Sequence, residues 1–124
     1  MTKRILIVDD NPSVLETVEL ILSEAGYSVC AVDSGGQCLV ELRNGFKGLI
    51  LMDIMMPEMD GWDTIAALVD EGLFEGNVIC MLTAVHDPGA KLESLKECVL
   101  DYVTKPFTSE ELLTAVEDSI CYIV

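Results

Sequence analysis

Residues 49–61 read LILMDIMMPEMDG: an apolar run that stops on Asp53, passes Pro57 and closes on an Asp-Gly pair. The run lacks the alternation of a half-exposed strand, and its shortness between Gly48 and Pro57 favours a strand covered on both faces over a buried helix. A buried strand that finishes on a carboxylate needs a reason, and the rest of the chain supplies one.

GLILM, at 48–52, is one of five apolar stretches of strand length, with RILIV at 4–8, YSVCAV at 27–32, NVICML at 77–82 and DYVT at 101–104. Between them lie longer segments whose apolar residues recur at three and four. The alternation predicts a βα unit repeated five times, hence an α/β fold with a parallel sheet, right-handed crossovers and helices on both faces.

The helical segments carry their own punctuation. Asn11 is a suitable N-cap with Pro12 at the first helical position; Val14, Leu15, Val18, Ile21 and Leu22 follow, and Gly26 stops the helix. Thr108 and Glu111 make a capping box ahead of Leu112, Leu113, Val116 and Ile120. The second helix, SGGQCLVELRNG, opens with two glycines, each costing up to about 1 kcal/mol inside a helix, so it is expected to begin after them.

With 124 residues, 51% of them hydrophobic, the chain has room for a single domain, expected to span residues 1–124, with a sizeable core. No apolar stretch approaches the roughly 18 residues of a membrane span, and MTKRILIV is too short an apolar block for a signal peptide, so a cytoplasmic protein without membrane contact is expected. Seven basic against 22 acidic residues give a net charge of -15, which repels a phosphate backbone and argues against direct nucleic-acid binding. Cys30, Cys38, Cys80, Cys98 and Cys121 follow no metal-ligand spacing and are expected to be reduced packing residues.

Each strand runs into chemistry at its carboxyl end: Asp9 and Asp10 after the first, Asp53 on the third, Thr83 on the fourth, Lys105 and Pro106 after the fifth. That is the rim where open α/β sheets bind ligands. Singly, these residues have ordinary uses as turn formers, a strand-end hydroxyl and a solvated charge. Together they conflict, since two carboxylates about 4 Å apart at an effective dielectric near 20 repel by about 4 kcal/mol. Lys105 offsets one charge, and a hard divalent cation with oxygen ligands offsets two more; Mg²⁺ fits a cluster that lacks His and Cys. A carboxylate beside Mg²⁺, a lysine and a hydroxyl is suited to phosphoryl transfer, with Asp53 as nucleophile, Lys105 and the metal on the equatorial oxygens and Thr83 as hydrogen-bond donor.

In VDDNP (8–12), MDIMMPEMDG (52–61), MLTA (81–84) and DYVTKPF (101–107) the chain resembles a two-component response-regulator receiver domain, chemotaxis-regulator-like, over essentially its whole length. The resemblance implies a flavodoxin-like, doubly wound (βα)5 sheet in strand order 2-1-3-4-5. It implies that Asp53 accepts phosphate from the phosphohistidine of a histidine kinase or histidine phosphotransfer protein. Asp10, Asp53 and the main-chain carbonyl of Met55 would bind Mg²⁺, with Asp9 acting mostly through a metal water. Thr83 and Lys105 would grip the phosphoryl oxygens, Tyr102 would be the switch aromatic, and the peptide between Lys105 and Pro106 would be cis. Gly61 would be a turn glycine. Phosphorylation would repack the face made by the fourth helix, fifth strand and fifth helix, to be read by a downstream protein, a fused output domain or a second copy in a homodimer. Such a switch is not an enzyme beyond catalysing its own phosphorylation and slow dephosphorylation.

Two positions beside the site are apolar where family members often carry polar groups, Met55 and Val85, and this predicts slow self-dephosphorylation. His86, the only histidine, is expected in a surface loop, and Trp62 is expected to pack the start of the third helix. The apolar end, SICYIV, fits a core-packed last turn, a dimer contact or continuation into a longer polypeptide. Two other functions remain open at this level: an aspartyl phosphatase of the haloacid-dehalogenase type and a receiver-like module that binds without accepting phosphate. The phosphatase needs a second Asp two residues after a nucleophile on the first strand, and Asn11 and Pro12 stand there instead.

Overall fold

The computed structural model describes residues 3–84 and 93–123; Val85 and His86 lie outside the described residues. Five strands, β1 (Arg4–Val8), β2 (Ser28–Val32), β3 (Leu49–Asp53), β4 (Val78–Thr83) and β5 (Val99–Thr104), alternate with α1 (Pro12–Glu24), α2 (Gly35–Arg43), α3 (Gly61–Asp70), α4 (Glu93–Lys96) and α5 (Ser109–Ile120). The strands are parallel in the order β2-β1-β3-β4-β5, as expected. β3 pairs on both edges, with β1 and β4, and all five of its residues are buried. This is why LILMD shows no polar alternation: neither face meets water.

Alternate strand residues feed two cores. Ile5, Ile7, Leu49, Leu51, Cys80 and Leu82 pack with Val18 of α1 and Leu112 and Val116 of α5. Leu6, Val8, Ile50, Met52, Ile79 and Met81 pack with Leu39 of α2, Ile65 of α3 and Leu95 of α4. Covering both faces of the central strands β1, β3 and β4 leaves their ends as the places where their polar groups reach solvent. Cys38 and Cys80 are buried in these cores and Cys121 is exposed; all five cysteines are free thiols.

Asn11 caps α1, its side chain accepting from the Ser13 N–H, with Pro12 in the first turn. Helix α1 gives way to Gly26 at φ 96°, a left-handed position suited to glycine. Thr108 and Glu111 form the reciprocal capping box of α5. Helix α2 differs from expectation, because it starts at Gly35 and holds both glycines in its first turn, with Ser34 as N-cap. The reason is tertiary. A Cβ on Gly35 would collide with Thr64 Oγ1 and come within 2.9 Å of Met59 Sδ, so the seat of α2 against α3 requires glycine there. Gly36 has only Ser34 Oγ nearby, at 3.9 Å. Adding a methyl group to each therefore separates packing from propensity. Gly35→Ala is expected to destabilise by about 1–3 kcal/mol through overpacking, while Gly36→Ala stabilises by about 0.5–1 kcal/mol, both read from urea unfolding midpoints.

Candidate functional site

The order of strands places the ends of β1 and β3 side by side, and β4 and β5 follow on one flank. Asp9 leaves β1 fully buried and is fixed from two sides: its Oδ1 accepts from the Asn11 N–H at 2.9 Å and its Oδ2 pairs with Lys105 Nζ at 2.7 Å. Asp10, the next residue, is exposed. Asp53 ends β3 with 6% of its surface exposed; its Oδ1 accepts from the Met55 N–H at 3.2 Å and lies 3.6 Å from Lys105 Nζ. Carboxylate oxygens of Asp9, Asp10 and Asp53 all lie within 4.8 Å of one another.

Lys105 arrives through the end of β5, where its N–H donates to the Thr83 carbonyl at 2.7 Å and the following peptide to Pro106 is cis. Thr83 itself closes β4 and is 2% exposed, one register position beyond Leu82, which pairs with Asp53. Met55, two residues after Asp53, is 68% exposed.

A single lysine among three carboxylates leaves the cluster short of positive charge. The consequence falls on Asp53, whose carboxyl is pushed up to about 6 from the ordinary 3.8, first by burial and then by the Asp9 charge, with a smaller push from Asp10. Lys105 and the Met55 N–H pull in the opposite direction without cancelling the shift. An all-oxygen donor set with surplus negative charge fits a hard divalent cation such as Mg²⁺.

Residues 5–117 match the family described as the response regulator receiver domain. The chain belongs to that family. The DNA-binding response regulator MtrA of Mycolicibacterium smegmatis is 37% identical to this receiver domain over 117 residues, which are 94% of this chain and 50% of MtrA. The chain thus spans half the length of that relative. Protein PilG of Pseudomonas aeruginosa is 29% identical over 114 residues, 92% of this chain and 84% of PilG. A CheY-like receiver domain protein from Methanospirillum hungatei JF-1 superposes with a TM-score of 0.93 at 48% identity, covering 97% of this chain and 95% of that one. The architecture is the CheY-like, flavodoxin-like fold.

Two features of this receiver domain lay beyond sequence reasoning. Gly61, expected as a turn glycine, is the first residue of α3, capped by Asp60. A Cβ there would come within 2.8 Å of the Asp53 carbonyl oxygen and 3.0 Å of Ile54 Cα, so glycine lets α3 press against the backbone that carries Asp53. Trp62, buried as expected at the start of α3, also reaches the half-buried Tyr102 of β5, ring centroids 6.5 Å apart and tilted.

The raised Asp53 pKa has a sign that stability measurements read. Below about pH 4 the group is protonated whether the chain is folded or not; between 3.8 and about 6 it ionises first in the unfolded chain, so the stability it contributes is lost as pH rises through that window. Asp53→Asn, in chelator, is expected to be more stable than the wild type at pH 7, with the difference shrinking as pH falls through that window in urea titrations.

Proposed function

We propose that this receiver domain is a phosphoacceptor switch in which Asp53 takes a phosphoryl group from a phosphohistidine on a histidine kinase or histidine phosphotransfer protein. A carboxylate oxygen of Asp53 forms a bond to phosphorus as the phosphorus–nitrogen bond breaks, and the departing imidazole takes up a proton. The observation that carries this reading is the placement of Asp53: a largely buried carboxylate at a strand end, 3.6 Å from Lys105 Nζ, with Asp9 and Asp10 beside it. Asp10, Asp53 and the Met55 main-chain carbonyl would hold Mg²⁺, with Asp9 as their neighbour; bound there, the ion neutralises charge on the transferring group.

Lys105 is held between Asp9 and Asp53, so it is available to a phosphoryl oxygen as soon as the Asp53 carboxylate is phosphorylated. Phosphoaspartate carries about two negative charges where the carboxylate carried one, and Thr83 and Lys105 satisfy the additional oxygens when the loops after β3 and β4 shift. Tyr102, on β5 opposite Met81, follows Thr83 inward, and the α4–β5–α5 face presents a changed surface to a partner protein or a fused output domain. The chain turns over no separate substrate; its catalysis is confined to loading and slowly losing its own phosphate.

Acetyl phosphate with Mg²⁺ is expected to label the wild type, and Asp53→Asn or Asp53→Ala is expected to remove the label. Full-stoichiometry phosphate that persists in either variant, with acyl-phosphate lability, refutes the assignment.

The exposed thioether of Met55 offers no group to orient an attacking water, so the phosphoprotein is expected to outlast several seconds. Replacing Met55 with Asn or Glu is expected to speed the decay several-fold, followed by phosphate release after removal of acetyl phosphate. Decay of the wild type within a few seconds contradicts this.

A further inference from the structure

Methionines crowd the strand ends around Asp53: Met52, Met55, Met56 and Met59 lie within eight residues of sequence, and Met81 pairs with Met52 across β3 and β4. Met52 and Met81 are fully buried, and Met56 is 8% exposed. Met59 is half-buried, its Sδ beside Gly35 where α2 begins. Met55, at 68% exposed, is the exception among the described methionines.

That exception is tied to the phosphoacceptor. The Met55 N–H donates to Asp53 Oδ1 at 3.2 Å, so its backbone is anchored on the carboxylate itself. Its sulfur is three bonds from Cα, which keeps it within reach of a group attached to Asp53. Three rotatable bonds and little packing leave those rotamers open.

Exposure also decides which sulfur a hydroperoxide attacks. A sulfur lone pair takes the terminal peroxide oxygen, the O–O bond breaks as the S–O bond forms, and the proton of that oxygen passes to the departing one, which leaves as water or an alcohol. The thioether is oxidised by two electrons to the sulfoxide and the peroxide is reduced. At Met52, Met56 or Met81 the product would set a polar group in the core, at a cost in stability. At Met55 there is little packing to lose.

We propose that Met55 is a redox-responsive site, at which sulfoxide formation by a hydroperoxide shortens the life of the phosphoryl group on Asp53. This role deepens the phosphoacceptor reading and rests on it. A thioether is a weak acceptor, whereas the sulfoxide oxygen takes a hydrogen bond from a water and turns the water's lone pair toward phosphorus, as a glutamine does in GTPases. Oxidation thus supplies at position 55 the polar group that the reduced side chain lacks. Oxidising conditions clear the signal, and reduction of the sulfoxide restores its persistence.

The test treats the full chain with hydrogen peroxide and then with dithiothreitol, which removes the oxidant and re-reduces reversibly oxidised thiols such as that of exposed Cys121. Peptide mass spectrometry locates the added oxygen, acetyl phosphate with Mg²⁺ loads the chain, and phosphate release is followed after the donor is removed. The oxygen is expected at Met55 ahead of Met56, Met59 and Met81, with the urea midpoint unmoved and the decay several-fold faster. Methionine sulfoxide reductase should return the slow decay. Met55→Leu should lose the response to peroxide, and Met59→Leu should keep it. Oxidation that falls first on another of these methionines, decay unchanged in chains oxidised at Met55, or a response that survives in Met55→Leu would each overturn the proposal. A chain that takes no label in either redox form fails the phosphoacceptor reading and this role with it. A labelled chain whose decay ignores oxidation at Met55 fails this role alone.

Discussion

The structure turns on an unbalanced charge. Asp9 and Asp53 are carried to one point by adjacent buried strands, Asp10 joins them from the solvent side, and one ammonium group, Lys105, stands between the two buried acids. Lys105 sits nearer to Asp9, at 2.7 Å, than to Asp53, at 3.6 Å. Asp9 is further anchored by the Asn11 N–H, so the two partners of Asp9 leave Asp53 as the carboxylate with unmet demand. Its raised pKa expresses that deficit, with burial as the larger cause and the neighbouring charges as the smaller. A group in this condition favours any event that brings positive charge or removes its own negative charge.

Nothing local to the sequence around Asp53 creates that condition; the sheet does. Because β3 is paired on both edges and covered on both faces, its last residue cannot retreat into solvent. Gly61 tightens the arrangement from the other side by allowing α3 to lie against the Asp53 carbonyl. Support from β1, β4 and α3 holds the Asp53 charge in a poor environment while 6% of the residue stays exposed.

Much of this was legible in the residues. The five strands could be placed because a sheet buried on both faces demands short apolar runs, and the candidate rim followed because Asp9, Asp10, Asp53, Thr83 and Lys105 gather at the carboxyl ends of the strands. Helix ends at Asn11 and Thr108 were legible because capping is local chemistry. What escaped sequence reasoning is long-range. Gly35 opens α2 because of Thr64 and Met59, and the need for Gly61 comes from Asp53 and Ile54; in both cases the missing Cβ answers to a neighbour that helix propensity does not know about. The closeness of the Asp9–Lys105 pair, between residues 96 apart in the chain, likewise depends on how β5 ends beside β4. The Trp62–Tyr102 contact joins α3 to β5 across the sheet face and carries no signature in either segment.

The same connections bear on how a change at the site reaches the edge of the sheet. Thr83 and Lys105 are linked by a backbone hydrogen bond of 2.7 Å, and Thr83 pairs in register with Thr104. Two residues before Thr104 on the same strand stands half-buried Tyr102, its ring centroid 6.5 Å from that of Trp62. Strand β5 therefore leads at one end into the charge cluster and has an outer edge without a neighbouring strand. Strands are stiff along their length, and a ladder held by β4 on one side only yields more easily at its free edge than in its paired interior. β3 is buried along its whole length and β4 from Ile79 to Thr83, whereas Tyr102 on the outer strand is half-buried.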